Sequence, residues 1–487
     1  MRILLICPTD KQMMFVRPFE LLRHSDVVNK IPPLGLLYIA GYLMTRTHHE
    51  VAVLDAQLED LTYDEIEERI SSFSPDVVGI TAYTLNLLDS LEIAARAKKV
   101  NPEIFVVLGG PHTFIYPKET AMLPQVDFVI SGEGEEAMAE LVDALENRAS
   151  LDNIRGLHFK KDRIVYSAPP REVIADLDAL PFPARQLLPT KKYRFITAHG
   201  VPATTMITSR GCLARCSFCN VPYHFVRERS PQNIIAEMFK CKEMGIGEIK
   251  FYDDSFNYSE SRTITLAQEI INSGLKMKYS ITARVDKVNP KMLALLRQSG
   301  CIRIGYGIEA GDDKSLKTLR KGATVEMARR AVKMTKDAGI EVLAFFIIGI
   351  PGQTKDDVKK TIDFAIEIDP DFIIITPLVL FPATELYNNA LKAGLFHDFY
   401  QEFATNPKPT DQLAYWTDSL STEELQKLLK SAYRKFVFRP RYIWQQMRKI
   451  TNYGDFAGKI RAAFETTAYS FLPNYSYRPI QTGTHKK

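Results

Sequence analysis

Cys212, Cys216 and Cys219 stand in the stretch Ser209-Arg-Gly-Cys-Leu-Ala-Arg-Cys-Ser-Phe-Cys-Asn220, spaced C-x3-C-x2-C. Three of the six cysteines of the 487-residue chain lie in this one loop. Three thiolates on a short loop can hold three irons of a 4Fe-4S cluster and leave the fourth iron without a protein ligand. Such an iron can chelate a substrate through an amine and a carboxylate and pass it an electron. A structural zinc site would need a fourth Cys or His at matching spacing. His224 lies five residues after Cys219, so a zinc-binding regulatory module stays as an alternative. Disulfides are disfavoured, because no signal peptide precedes these thiols: Met1-Arg-Ile-Leu-Leu-Ile-Cys-Pro8 reads as a strand ending in a turn. A cytoplasmic chain is expected.

The elements that must position the loop are short β-branched runs alternating with amphipathic segments. Around the cysteines the runs are Thr204 to Thr208, Ile249 to Tyr252, Tyr279 to Ala283, Ile302 to Ile308, Val342 to Ile348 and Phe372 to Pro377. Helical periodicity separates them over Ile234 to Glu243, Ser261 to Ser273, Pro290 to Ser299, Val325 to Ala338 and Asp356 to Ile368. Six such units are too few for the eight of a closed barrel, so an open (β/α)6 arc, a partial TIM barrel over residues 201–394, is expected. Chemistry in such folds sits on the loops after the strands. The cysteine loop follows the first strand. Phe218, between its second and third thiols, can cover an adenine ring.

An earlier α/β run occupies residues 1–148. Arg2 to Cys7, Glu50 to Asp55, Val77 to Thr81, Ile104 to Leu108 and Phe128 to Ser131 alternate with helical patterns such as Leu34 to Met44, Tyr63 to Phe73 and Leu87 to Val100. That alternation predicts a doubly wound, Rossmann-like parallel sheet with ligand at the carboxyl ends of its strands. Those ends carry Pro8-Thr9, Asp55-Ala56, Thr81-Ala-Tyr83-Thr84, Gly109-Gly110-Pro-His112 and Gly132-Glu133-Gly134-Glu135. Glycines let backbone approach a flat ligand, and hydroxyls can bond its edge amides. No G-x-G-x-x-G follows the first strand, which weighs against a dinucleotide. A lone loop histidine such as His112 is more often solvated than functional.

Length suggests about three domains. Hydrophobic content of 46% and charged content of 25% suit a globular protein, and a net charge of +4 does not by itself suggest nucleic acid. No apolar run reaches the roughly 20 residues needed to span a bilayer. Residues 149–200, with Ala168-Pro-Pro170 and Leu180-Pro-Phe-Pro183, show little periodicity and read as a connector. Beyond Gly394 the β pattern stops, and Thr422 to Val437 and Arg441 to Thr451 read as helices of a mainly helical segment, 395–487. From Lys430 on, 12 Lys or Arg stand against Asp455 and Glu465, interleaved with aromatic residues. The favoured reading is a helical cap over the barrel mouth with a solvated basic face; a basic aromatic helix that lies on a membrane surface or covers an apolar anionic substrate is the other.

The middle third resembles the radical S-adenosylmethionine superfamily. That resemblance implies a 4Fe-4S cluster on Cys212, Cys216 and Cys219. It also implies contacts to S-adenosylmethionine from Phe218, from Asp253 or Asp254 in Phe251-Tyr-Asp-Asp-Ser-Phe256, and from Glu309 in Ile304-Gly-Tyr-Gly-Ile-Glu-Ala-Gly311. Gly349 and Gly352 in Gly349-Ile-Pro-Gly352 belong to the same set. Arg284 can pair with a cofactor carboxylate, or equally with Asp286. Ile31-Pro-Pro-Leu-Gly-Leu-Leu-Tyr-Ile-Ala-Gly-Tyr42, Gly109-Gly-Pro-His112 and Gly132-Glu-Gly-Glu135 resemble the cobalamin-binding domain found ahead of such domains. This implies that Pro8, Thr9, Thr81, Tyr83, Gly109, Gly110, His112, Gly132, Glu133 and Gly134 surround cobalamin. The Asp-x-His-x-x-Gly motif that ligates cobalt elsewhere is absent, so Thr81 to Thr84, with Tyr83, would meet the lower face.

Ala432-Tyr-Arg-Lys-Phe-Val-Phe-Arg-Pro440 is similar to the branch holding the anaerobic magnesium-protoporphyrin ester cyclase and the hopanoid-associated enzymes. That branch implies a large apolar small-molecule substrate and no nucleic acid. A one-electron reductant such as flavodoxin or ferredoxin is implied too. The leading expectation is a cobalamin-dependent methyltransferase acting on an unactivated carbon, with oxidative cyclisation or rearrangement second. A non-catalytic cobalamin-binding or zinc-binding regulatory protein is third. Cys7, Cys241 and Cys301 read as structural thiols, and a methylthiotransferase would need more upstream cysteines than Cys7.

Overall fold

The first strand, β1 (Arg2–Cys7), has Ile3 to Ile6 buried, as a strand covered on both faces must be. It lies between β2 (Glu50–Asp55) and β3 (Val77–Thr81), and β4 (Phe105–Gly109) and β5 (Phe128–Ile130) continue the sheet, all parallel, in the order β2-β1-β3-β4-β5. Chain order reverses between β1 and β3, the place where open α/β sheets bind ligands. Helices Leu34–Arg46, Tyr63–Phe73, Leu87–Val100 and Gly134–Asn147 accompany the strands. Thr62 and Glu65 close a reciprocal capping box at the start of the second of these.

The computed structural model describes residues 1–12, 31–161, 164–195, 201–395, 397–409, 416, 419–448 and 450. They divide into two compact units. One holds the described residues up to Tyr193 together with those from His397 to 409, and the other holds the rest.

Within the first unit the expected connector carries structure of its own. β6 (Leu157–Lys161) and β7 (Ile164–Ser167) form an antiparallel hairpin on the β5 edge. Its period is masked by His158, which is buried because Ser131 Oγ and Ser167 Oγ hold its two ring nitrogens at 2.8 and 3.0 Å. Farther along, Tyr193 OH donates to Asp55 Oδ2 at 2.6 Å, tying the end of this stretch to β2. Helix Phe399–Thr405 also belongs here: Gln401 Nε2 donates to Glu119 Oε1 at 2.7 Å, and Phe399, Tyr400 and Phe403 are buried.

The second unit holds six further strands, β8 (Ala203–Met206), β11 (Glu248–Phe251), β12 (Lys278–Ala283), β13 (Cys301–Glu309), β14 (Glu341–Ile348) and β15 (Phe372–Pro377). They run parallel in the order β15-β14-β13-β12-β11-β8. The arc is open, with β8 and β15 at its ends. Between β8 and β11, β9 (Ser209–Arg210) and β10 (Arg227–Glu228) pair antiparallel. Each strand-to-helix loop ends on a residue that caps the next helix: Ser230, Ser259, Asn289, Thr324 and Thr354 accept from the third residue on. Pro231 and Pro290 follow two of these caps at the first helical position. On β14, Val342, Ala344, Phe346 and Ile348 face the helices, while Leu343, Phe345 and Ile347 alternate with them on the inner side.

Helix Thr422–Val437 does not stand alone as a cap. Leu425, Leu429 and Ala432 join the core beneath the outer helices, and Tyr433 OH accepts from Ile375 N at 3.1 Å and meets Ile375 O at 3.2 Å. It therefore covers the edge strand β15, because an open sheet leaves that row of backbone groups without a partner. A last helix spans Pro440–Arg448; the expected continuation to Thr451 lies outside the described residues. Among the described residues no helix is long and apolar enough to cross a membrane.

Candidate functional site

The cysteine loop is closed at its base by the β9–β10 ladder, with Arg210 opposite Arg227 and Ser209 opposite Glu228. Gly211 makes the closure possible. Its φ is +101°, and a Cβ there would stand 1.9 Å from Phe225 O. Cys212 N donates to Tyr223 O at 3.1 Å and Cys219 N to Cys216 O at 3.1 Å, which folds the loop back on itself. Ser217 ties the loop to the arc: its N donates to Leu319 O at 3.0 Å, its Oγ to Thr318 O at 3.0 Å, and its O accepts from Leu386 N at 2.9 Å. Phe218 is half-buried beside it.

Among the described residues, the His, Cys, Asp or Glu groups that gather three ligand atoms within 4.8 Å do not include these thiols. A single tetrahedral zinc would need sulfurs about 3.8 Å apart. His224, the possible fourth zinc ligand, meets Ala214 O at 3.1 Å through Nδ1. Burial pushes the Cys212 thiol up, and the Ala214 N–H, 3.4 Å from Cys212 Sγ, acts against that. Metal loading displaces the proton.

The two adjacent aspartates have separate tasks. Asp253 is buried. Its Oδ1 accepts from Thr208 N at 2.6 Å and Ser209 N at 3.1 Å, and its Oδ2 from Thr208 Oγ1. Arg262 NH2 holds Thr208 from the other side, at 2.8 Å to both O and Oγ1. Burial raises the Asp253 carboxyl, and the bonds from Thr208 oppose it. Asp254 is exposed and accepts from Gly211 N at 3.0 Å.

Arg284 lies in an ion pair with Asp286, through Nε at 2.9 Å and NH2 at 3.3 Å, and NH2 also donates to Lys321 O at 2.8 Å. Burial works against its charge, but the bond to Asp286, with that carboxylate's charge and the nearby Cys216 and Cys212 sulfurs, outweighs it and raises its pKa. Glu309 sits at φ +71°, where β13 and β14 shift register, and its Oε1 accepts from the buried Lys321 Nζ at 2.7 Å. Gly307 gives this pair room: a Cβ would stand 2.4 Å from Glu309 Oε1. Gly349 and Gly352, at φ +78° and +71°, bound a turn held by Gln353 Oε1, which accepts from Gly349 N at 2.8 Å and Ile350 N at 3.2 Å.

Three further residues hold these groups in place. Asn257 clamps Arg284, accepting from its N at 2.8 Å and donating to its O at 2.9 Å. Lys321 pairs with Glu309, and Gln353 holds the glycine turn. No spacing rule marked any of them. The one signal was a Lys or amide beside a turn glycine, as in Lys321-Gly322 and Gly352-Gln353.

In the first unit the strand ends meet as expected from the sheet order. Gly110 has φ +107°, and a Cβ would stand 2.9 Å from Ala82 O and 3.0 Å from Thr81 Oγ1. His112 is fully buried rather than solvated, because its N donates to Ala82 O at 3.0 Å and Nδ1 meets Thr84 Oγ1 at 3.0 Å. Burial pushes its pKa down to about 4, so the ring is neutral. Its Nε2 and the Oγ1 of the buried Thr9 have no hydrogen-bond partner among the described residues. Orphaned polar atoms at strand ends are what a ligand rimmed with amides would satisfy. Tyr83 is exposed, Glu133 Oε2 accepts from Ile174 N at 2.7 Å, Gly132 has φ +96°, and Gly134 opens its helix. Pro8 is buried, and Thr81 and Gly109 are half-buried at the ends of β3 and β4.

The family described as B12 binding domain matches residues 24–142, and the Radical SAM superfamily matches residues 206–365. An uncharacterized methyltransferase of Pyrococcus horikoshii is 37% identical over 85% of this chain and 89% of its own length. The chain belongs to the cobalamin-binding radical S-adenosylmethionine enzymes. An anaerobic magnesium-protoporphyrin IX monomethyl ester cyclase of Rubrivivax gelatinosus is 29% identical over 89% of this chain and 78% of its own. The fold is also that of the cobalamin-dependent S-adenosylmethionine radical enzyme OxsB, with a TM-score of 0.71 at 18% identity over 96% of this chain and 72% of OxsB. As a radical S-adenosylmethionine enzyme of this family, the protein uses a 4Fe-4S cluster, S-adenosylmethionine and cobalamin. It takes a small-molecule substrate and needs a reductant.

Proposed function

We propose that this enzyme methylates an unactivated carbon of a small molecule with an apolar body. The observation that carries the proposal is the extended similarity to the P. horikoshii methyltransferase, which spans both cofactor-binding regions. Cys212, Cys216 and Cys219 hold the cluster. Phe218, Asp254, Arg284, Glu309 and the Gly349–Gly352 turn receive S-adenosylmethionine, while Asp253 supports the strand end beneath. Cobalamin rests on Pro8, Thr9, Thr81, Tyr83, Gly109, Gly110, His112, Gly132, Glu133 and Gly134. When bound, the cluster supplies one electron for reductive cleavage of S-adenosylmethionine and cobalamin serves as methyl carrier.

Glu309 suits its role because its strained backbone, of a kind that clusters at ligand sites, holds the carboxylate beside Lys321 with Oε2 left for a ribose hydroxyl. The substrate class draws support from the inner side of the arc. Leu343, Phe345 and Ile347 on β14 and Ile374 on β15 stay partly open there, on the side that barrel enzymes use. Flavodoxin or ferredoxin fits the reductant. Exposed Ile443, Trp444 and Met447, on a helix that also carries Arg441 and Arg448, fit peripheral contact with an anionic membrane.

The test is an anaerobic turnover with methyl-labelled S-adenosylmethionine and a small-molecule extract of the source cells. Label is expected in an extractable product, together with 5′-deoxyadenosine. Deoxyadenosine with an altered but unlabelled product would instead establish cyclisation or rearrangement, the reading favoured by similarity to the R. gelatinosus cyclase.

A further inference from the structure

At the amino end of the first sheet, away from the strand ends assigned to cobalamin, His48 and His49 precede β2 and face the helix Gly134–Asn147. We propose that His48, His49 and Glu146 bind a divalent transition-metal cation of the zinc class. The ligand atoms of these three residues lie within 4.8 Å of one another, close enough for small side-chain movements to complete a first shell. Two imidazoles and a carboxylate are a donor set that zinc-like cations accept.

The orientation of His49 supports the site independently. Its ring is fully buried, and Nε2 meets Asp143 Oδ1 at 2.9 Å. A carboxylate on one ring nitrogen fixes the tautomer and turns the lone pair of the other outward, the arrangement found behind metal-bound histidines. Here that other nitrogen, Nδ1, faces Glu146 Oε1 at 3.8 Å. His48 Nε2 lies 2.8 Å from Glu146 Oε2. A positive charge is already held at the same point: the Met1 ammonium nitrogen is 2.9 Å from Glu146 Oε1 and 3.1 Å from His49 Nδ1. A divalent cation would take that position, with the ammonium displaced. The site joins the chain before β2 to the helix, so its occupancy stabilises the first unit by mass action.

The experiment uses the holoenzyme, equilibrated with Zn(II) and then freed of loose metal, with zinc, iron and cobalamin measured per chain. Wild type is expected to keep about one zinc. His48→Ala and Glu146→Gln, both at exposed side chains, are expected to bind it at least about tenfold more weakly while keeping their iron and cobalamin. Asp143→Asn is expected to weaken binding without abolishing it. Equal zinc in wild type and both ligand variants, including zinc held by the cluster thiols, would overturn the proposal. So would no retained zinc in wild type. His48→Gln replaces His48→Ala if the latter loses cobalamin.

Discussion

Asp253 and Asp254 are neighbours in opposite surroundings, the first buried under Thr208 and Ser209 and the second exposed beside Gly211. Removing the Asp253 carboxylate leaves Thr208 N and Ser209 N buried without acceptors, at about 1–3 kcal/mol each. Asp253→Ala is therefore expected to lower unfolding free energy by several kcal/mol in urea titration and to reduce iron loading. Asp254→Asn is expected to keep fold and iron but weaken S-adenosylmethionine several-fold in calorimetric titration. If Asp253→Ala kept full stability while Asp254→Asn lost its iron, the two roles would be reversed. The sequence narrowed the choice to this pair and no further. Adjacent side chains on extended backbone point to opposite sides, but which side is interior depends on Thr208, 45 residues earlier in the chain, and on Arg262. Arg284 was equally ambiguous, and its bond to Asp286 is decided by Asn257 and Lys321. His112 looked like a surface loop residue until Ala82 and Thr84 were seen to enclose it.

At the level of elements, the cysteine loop depends on one backbone conformation. Gly211→Ala combines a positive φ with a Cβ 1.9 Å from Phe225 O, so the β9–β10 ladder cannot close. The expected result is loss of cluster loading, read as iron per chain and visible absorbance, with cobalamin retained. Normal iron content in this variant would mean that the loop finds another closure. Strands and helices of both sheets were legible because short β-branched runs alternate with segments whose apolar residues recur at three or four positions. The β6–β7 hairpin was not, since its strands are short and His158 is buried by hydroxyl partners rather than by an apolar pattern. Likewise, nothing local in Phe399–Thr405 says that its aromatic face packs in the first unit while the following helix packs in the second.

For the whole molecule, the B12 binding domain and the Radical SAM superfamily match separate stretches of the chain, residues 24–142 and 206–365. Cys216→Ala is accordingly expected to abolish reductive cleavage of S-adenosylmethionine, measured as 5′-deoxyadenosine, while leaving cobalamin binding within about twofold of wild type, a change below 0.5 kcal/mol. Retained cleavage would move the cluster elsewhere. The division of cofactors was readable from the order of motifs, because each βα loop set belongs to its own sheet. The substrate was not, because the inner face of the arc is assembled from β14 and β15 side chains that each look like ordinary core.

The bond between Tyr433 and both backbone groups of Ile375 has a consequence for solubility. An unpaired parallel edge strand is a template on which a second molecule can add its own strand. Helix Thr422–Val437 occupies that template in the native chain, so stopping the polypeptide before Thr422 would leave β15 open to intermolecular pairing. The tail in this way acts as a guard against self-association as well as a piece of the fold.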